Sequence, residues 1–217
     1  MSTSADQDTI RTAARTQASD AVLAELMTGN ARFVSGTAQQ HPHQDAARRH
    51  ELSSVQHPQT VVLSCSDSRV PTEIIFDQGL GDIFTVRTAG EILDTAVMAS
   101  LDFAVEGLKV PLLFVVGHEN CGTIAATKRT LEHNVPLGGA QSIILEQVGL
   151  SIRTSLNNGL TTTDDFERTH ALRIAAEILA RSRVINDAVR TGRLGIAVGR
   201  YLVSTGEVEL LNSADPK

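Results

Sequence analysis

The sequence predicts an α/β fold: a mostly parallel central sheet flanked by helices, with an N-terminal helical arm and a C-terminal antiparallel edge hairpin. Three observations predict it. Short β-branched runs alternate with segments of helical apolar spacing, as in a sheet covered on both faces. The runs are near-continuously apolar, as strands buried on both faces are. The last two runs are separated only by a turn, which suits an antiparallel pair.

In order along the chain, residues 1–18 are polar and rich in Ala and Thr. From Ser19 to Val34 the apolar residues Val22, Leu23, Leu26, Met27 and Val34 fall at helical spacing, and Gly36 is the stop signal. Residues 37–59 keep no period and read as a linker with one short helix. Thr60-Val61-Val62-Leu63-Ser64 is a buried strand, and Pro71 suits the first turn of a helix through Ile74 and Ile75. Asp82 to Val86 is a second strand. Asp94 caps a helix whose face is Val97, Leu101, Ala104, Val105 and Leu108. Val110 to Val116 is a third strand, with Pro111 near its start. Helical periods return at 122–132 and 140–153. The longest helix is expected to start between Thr162 and Asp165 and to run through Ile174, Ile178, Ile185 and Val189 to a stop at Gly192. Leu194 to Val203 and Glu207 to Leu211 are the hairpin strands, joined at Ser204-Thr205-Gly206. One domain over 1–217 is expected, its first 40 residues forming the arm.

Composition excludes several classes of function. A net charge of −6 leaves no basic face for nucleic acid or an anionic membrane. No apolar run approaches the roughly 20 residues that a membrane-spanning helix needs. The polar start lacks the charged-then-apolar order of a secretory signal, so the expected compartment is the cytoplasm. A disulfide between the two cysteines, Cys65 and Cys121, is not expected in a reducing compartment. By count alone they could be two buried core thiols.

Their neighbours point to chemistry. Cys65 ends the first strand, His118 follows the third, and Cys121 lies in the turn after it. Open α/β sheets bind ligands beyond the carboxyl ends of their strands. Two thiolates and an imidazole form a set known to hold catalytic zinc with a vacant fourth position, and such ligands favour zinc over magnesium or calcium. Taken singly, His118 is an ordinary strand-end histidine; the joint placement is what packing does not explain. Asp67 and Arg69 lie two apart, so an extended segment points both the same way. Arg can hold a carboxylate through two parallel hydrogen bonds.

Cys65-x-Asp67-x-Arg69 followed by His118-x-x-Cys121-Gly122 resembles the β-class carbonic anhydrase signature. Residues Asn30 to Val34, Phe76 to Asp82 and Arg87-Thr88-Ala89-Gly90 resemble the family as well, although Thr88 stands where many relatives carry Asn. The likeness runs from about residue 20 to the end of the sequence. It implies reversible hydration of carbon dioxide, one Zn2+ per chain on Cys65, His118 and Cys121, and no organic cofactor. Asp67, fixed by Arg69, would orient the attacking oxygen. Gln56, Phe84 and Phe103 fall at substrate-pocket positions, and the backbone N–H of Gly122 would face bicarbonate. An arm embracing a neighbour implies a homodimer or a dimer of dimers. Three other readings remain open: a carbonyl sulfide or carbon disulfide hydrolase on the same fold, a noncatalytic zinc or anion-binding protein, and a thiol redox protein, for which no Cys-x-x-Cys motif speaks.

Overall fold

A computed structural model describes residues 16–38 and 44–211. The first part of the expected arm, residues 1–15, therefore lies outside the described residues, as do 39–43 and 212–217. Five strands form one sheet in the order β2-β1-β3-β4-β5. They are β1 (Thr60–Cys65), β2 (Ile83–Thr88), β3 (Leu112–His118), β4 (Gly195–Tyr201) and β5 (Val208–Leu210). The first four run parallel, and β5 closes the far edge antiparallel to β4. Every residue of β1, β3 and β4 is buried, as an inner parallel strand requires, whereas the edge strand β2 is largely half-buried.

Alternation along the strands divides the core in two. Val61, Leu63, Leu113, Val115, Ile196 and Val198 face one side. There they pack on α4 (Thr95–Asp102), α7 (Thr163–Arg181) and α8 (Arg183–Arg190) through Leu101, Ile174, Ile178 and Ile185. Val62, Phe114 and Val116 face the other side, against Leu23 and Leu26 of α1 (Gln17–Val34) and Ile75 of α3 (Thr72–Ile75). A third cluster covers the carboxyl edge of the sheet: Cys65, Ile92, Cys121, Ile124, Val148, Ile152 and Phe166. One of these, Ile124, comes from α5 (Gly122–His133) and two, Val148 and Ile152, from α6 (Ser142–Asn157). The short helix expected in the linker is α2 (Ala46–Glu51).

The differences from the sequence reading have physical causes. β2 and β3 both end two residues later than their apolar runs, at Thr88 and His118. Pairing with neighbours carries them on: Thr88 opposes Cys65, and His118 opposes Tyr201. The helix capped by Asp94 is α-helical only to Asp102 and widens into a π turn over Phe103–Gly107. The long helix expected over 162–189 is two helices, broken at Ser182 without Gly or Pro. Ser182 is extended (φ −104°, ψ 112°); its Oγ accepts from Ile185 N–H and donates to the Asp102 carboxylate. A side-chain cap thus replaces a backbone turn, and Ile174, Ile178, Ile185 and Val189 stay buried through the break.

One buried side chain ties the N-terminal helix to both ends of the fold. Asn30 donates to the carbonyls of Ile75 (3.1 Å) and Gly206 (2.8 Å) and accepts from Val208 N–H (2.8 Å). The helix can approach this closely because residue 29 is glycine: a Cβ there would lie 1.8 Å from Phe76 O. Replacing Asn30 by Ala would leave three buried backbone groups unpaired. Asn30→Ala should therefore lower the unfolding free energy by roughly 2–4 kcal/mol in urea titration. A loss below about 0.5 kcal/mol, the range of ordinary surface changes, would show that the anchor carries no weight.

Candidate metal centre

The parallel pairing of β1 with β3 puts their carboxyl ends side by side. Cys65 is the last residue of β1, and His118 the last of β3. The chain then turns sharply through Asn120 (φ 55°), and Cys121 becomes the N-cap of α5. Asn tolerates the left-handed conformation better than most residues. The result brings Cys65 Sγ, Cys121 Sγ and a ring nitrogen of His118 within 4.8 Å of one another, all three residues buried. Both cysteines are free thiols, with no disulfide between them.

The imidazole is oriented for a ligand. His118 Nδ1 lies 2.9 Å from the carbonyl oxygen of Glu119, so Nδ1 carries the proton and donates it. Nε2 is left as an acceptor, buried and without a hydrogen-bond partner. Such an orphan costs about 1–3 kcal/mol unless something else satisfies it. A cation between Nε2 and the two sulfurs would do so, and a thiolate–thiolate–imidazole set suits a thiophilic divalent metal. The residues present fit a metal.

Charge is organised around the thiols. The Cys121 thiol is pulled well below its ordinary value, chiefly by the neighbouring Cys65 and, against the cost of burial, by His118. Cys65 is pushed up by Cys121 in turn, by burial and by the nearby Glu91. Burial opposes charge on His118, but the neighbouring Cys121, the Glu119 carbonyl and the Asp67 carboxylate together outweigh that and raise its pKa. The sulfurs also have partners. Gly90 N–H donates to Cys65 Sγ at 3.3 Å, and the Thr123 hydroxyl sits 2.9 Å from Cys121 Sγ. Cys121 N–H donates to Glu167 Oε1 (3.2 Å), and Glu167 Oε2 accepts from Arg200 through Nε and Nη2 at 2.9 and 2.7 Å.

Asp67 and Arg69 stand at the mouth. Arg69 Nε donates to Asp67 Oδ1 (2.9 Å) and Nη2 to Oδ2 (2.8 Å), the parallel pair expected from their spacing. The backbone N–H of Arg69 adds a third bond to Oδ1 at 2.9 Å. Arg69 thereby holds the Asp67 carboxyl well below the usual carboxylate range. Asp67 Oδ2 lies 4.0 Å from His118 Nε2, beside the three ligand atoms. Arg87 fixes the loop from beneath, donating to the carbonyls of Cys65 (2.9 Å) and Asp67 (2.6 Å).

Gly122 is also at this edge, exposed at the start of α5, with open space where a Cβ would be. Gln56, Phe84 and Phe103 lie elsewhere on the chain. Gln56 is exposed and lines an open depression with Leu52, Val55 and Leu80. Phe84 stands opposite Val61, four positions before Cys65 on the strand ladder, or about 13 Å down the sheet. Phe103 is 53% exposed and packs on Phe84 with ring centroids 6.1 Å apart. Glu167, His170, Thr123 and Glu91 were not legible as site residues. Glu167 and His170 read as ordinary positions of a long helix; their spacing of three, which puts them on one face, was the available signal.

The profile of the carbonic anhydrase family matches residues 60–208. A carbonic anhydrase of Mycolicibacterium smegmatis is 45% identical over 186 residues, covering 85% of this chain and 89% of that protein. Carbonic anhydrase 2 of Mycobacterium tuberculosis is 40% identical over 185 residues, with the same coverage. Among solved structures, the β-carbonic anhydrase CafA of Aspergillus fumigatus superposes with a TM-score of 0.67 at 25% identity, covering 87% of this chain and 90% of that one.

If the three buried side chains hold one ion together, removing any of them should release it. Cys121→Ser should lose most of the metal that the parent chain retains through dialysis, measured by elemental analysis. Parent-like metal content in that variant would place the ion elsewhere.

Proposed function

The chain belongs to the β-class carbonic anhydrase family, and on that premise we propose that it catalyses the zinc-dependent, reversible hydration of carbon dioxide to bicarbonate and a proton. The observation that carries this reading is the buried, unpartnered His118 Nε2 between two thiols, next to a carboxylate that an arginine holds in place. Cys65, His118 and Cys121 would hold one zinc ion per chain. When bound, zinc supplies Lewis-acid activation of water near neutral pH.

The remaining roles fall to the chain's own groups. Arg69 keeps Asp67 ionised and immobile, so the carboxylate can only accept hydrogen bonds. An acceptor fixed at the mouth can accept a hydrogen bond from the attacking oxygen and aim that oxygen's lone pair at the carbon of CO2. Ile92, Ile124 and Val148 pack around the thiols, and this apolar shell strengthens the electrostatics within it. Gly122 leaves room at the mouth, where its backbone can face the bicarbonate formed.

Gln56, Phe84 and Phe103 complete the proposed pocket only if another copy of the chain brings them to it, because on their own chain they lie away from the thiols. The assembly proposed is accordingly a homodimer or a dimer of dimers, each chain one domain. No helix among the described residues is long and apolar enough to cross a membrane. A cytoplasmic location is part of the same proposal.

Stopped-flow CO2 hydration on metal-analysed protein tests the reading. The parent should carry about one zinc per chain, the count for a single catalytic site, and should turn over CO2. Full activity in metal-free protein would overturn the zinc assignment. Asp67→Asn should keep its zinc and lose about 10²–10⁴-fold in hydration rate, the span for a positioned acid–base group. Parent-like turnover would reduce Asp67 and Arg69 to a structural pair. Light scattering at micromolar concentration should show no monomer; an active monomer would remove the proposed origin of the pocket.

A further inference from the structure

His170 lies on α7, and its ring reaches Gly90, 80 residues away in the sequence. It is 1% exposed, and each of its ring nitrogens is committed. Nε2 lies 2.6 Å from the carbonyl oxygen of Gly90, which can only accept, so Nε2 carries the proton. Nδ1 is therefore the acceptor, and Ser151 Oγ is 2.8 Å from it. Ser151 can turn its hydroxyl hydrogen to the ring because its oxygen already accepts from Arg173 Nε at 2.6 Å. Burial, with Arg173 nearby, lowers His170 to about 4, so the ring is neutral at ordinary pH and this tautomer persists.

The group that His170 grips is unusual. Gly90 and Glu91 are both left-handed, with φ of 71° and 48°. For a residue with a side chain this conformation costs on the order of 1–2 kcal/mol and persists only where the surroundings hold it. The turn holds Gly90 N–H on Cys65 Sγ. It also presses Gly90 against Thr123, since a Cβ at Gly90 would lie 2.5 Å from Thr123 Oγ1, the hydroxyl that contacts Cys121 Sγ. One glycine therefore touches the surroundings of both sulfurs. Glu91 adds a buried carboxylate whose Oε1 has no partner and whose Oε2 is 3.7 Å from His170 Nε2, too long for a hydrogen bond. Nothing on that side chain replaces the His170 contact.

We propose that His170 is a positioning residue for the metal centre: by clamping the Gly90–Glu91 turn it sets the N–H···S hydrogen bond on Cys65, and with it how tightly the metal is held. This rests on Cys65, His118 and Cys121 binding an ion, as in the proposed function. Outer partners of metal ligands act in this way, and their loss typically costs about 10- to 100-fold in metal affinity.

The test compares three substitutions by zinc dissociation constant in chelator competition. The sulfur-to-metal charge-transfer absorption of the cobalt-loaded proteins gives a second readout. A Gln side chain has an N–H to offer Gly90 and an oxygen to accept from Ser151; Asn has the same groups on a shorter stem, and Leu has neither. His170→Gln should stay within about threefold of the parent, with an unchanged cobalt spectrum. His170→Asn and His170→Leu should weaken zinc roughly 10- to 100-fold and shift the charge-transfer band. If the Leu variant does not fold, the Asn–Gln pair decides alone. Folded Asn or Leu variants with parent affinity and spectrum would overturn the proposal, as would a Gln variant no better than Asn. A parent chain that binds no zinc would instead overturn the proposed function, so the two failures are distinct.

Discussion

The parallel pairing of β1 with β3 governs the geometry of the site. Both strands are buried on both faces, so their register is fixed by packing above and below the sheet. A slip of one residue would exchange Val61 and Leu63 with Val62 and Ser64, moving apolar groups between the two cores. With the register held, Cys65 and the turn after His118 must emerge at one edge. The metal centre thus depends on aliphatic packing at positions that never touch it.

Helix α7 supplies what the strands cannot. One turn of it presents Glu167 and His170 to the same edge, where they bond the backbone of the Cys121 turn and of the Gly90 turn. Each thiol is therefore held by its own strand or helix end and by a side chain from a distant helix. The helix is in turn fixed to the sheet by Ala171, Ile174 and Ile178, all inaccessible to solvent. Packing energy in the core is thereby converted into orientation at the site, as a preorganised metal site requires.

The buried charges of Glu167 and Arg200 are paired with each other. Glu167 is taken up by Arg200, which also bonds Glu209 and reaches Asp164 at the start of α7. This chain runs from the backbone of Cys121 to the antiparallel edge of the sheet. Removing either Glu167 or Arg200 would strand a buried charge, which is more damaging than never having had the pair. The edge hairpin thus has a task beyond closing the sheet, since β5 carries Glu209.

The candidate metal ligands Cys65, His118 and Cys121 and the Asp67–Arg69 pair were legible in the sequence because their chemistry follows from local spacing and from strand ends. Alternating apolar runs likewise determined the parallel sheet and the final hairpin. Only the tertiary structure decided the break at Ser182, since its cause is a hydrogen bond to Asp102, 80 residues away. The same holds for the clamp of His170 on Gly90 and the support of Glu167 under Cys121: a helical period shows that two residues share a face, not which turn that face meets. Gln56, Phe84 and Phe103 show the limit from the other side. Their residue types suit a pocket, but their own chain sets them away from the thiols: Phe84 stands four positions before Cys65 on the strand ladder, because position along a strand, and not chemical character, decides how far a side chain stands from the carboxyl edge.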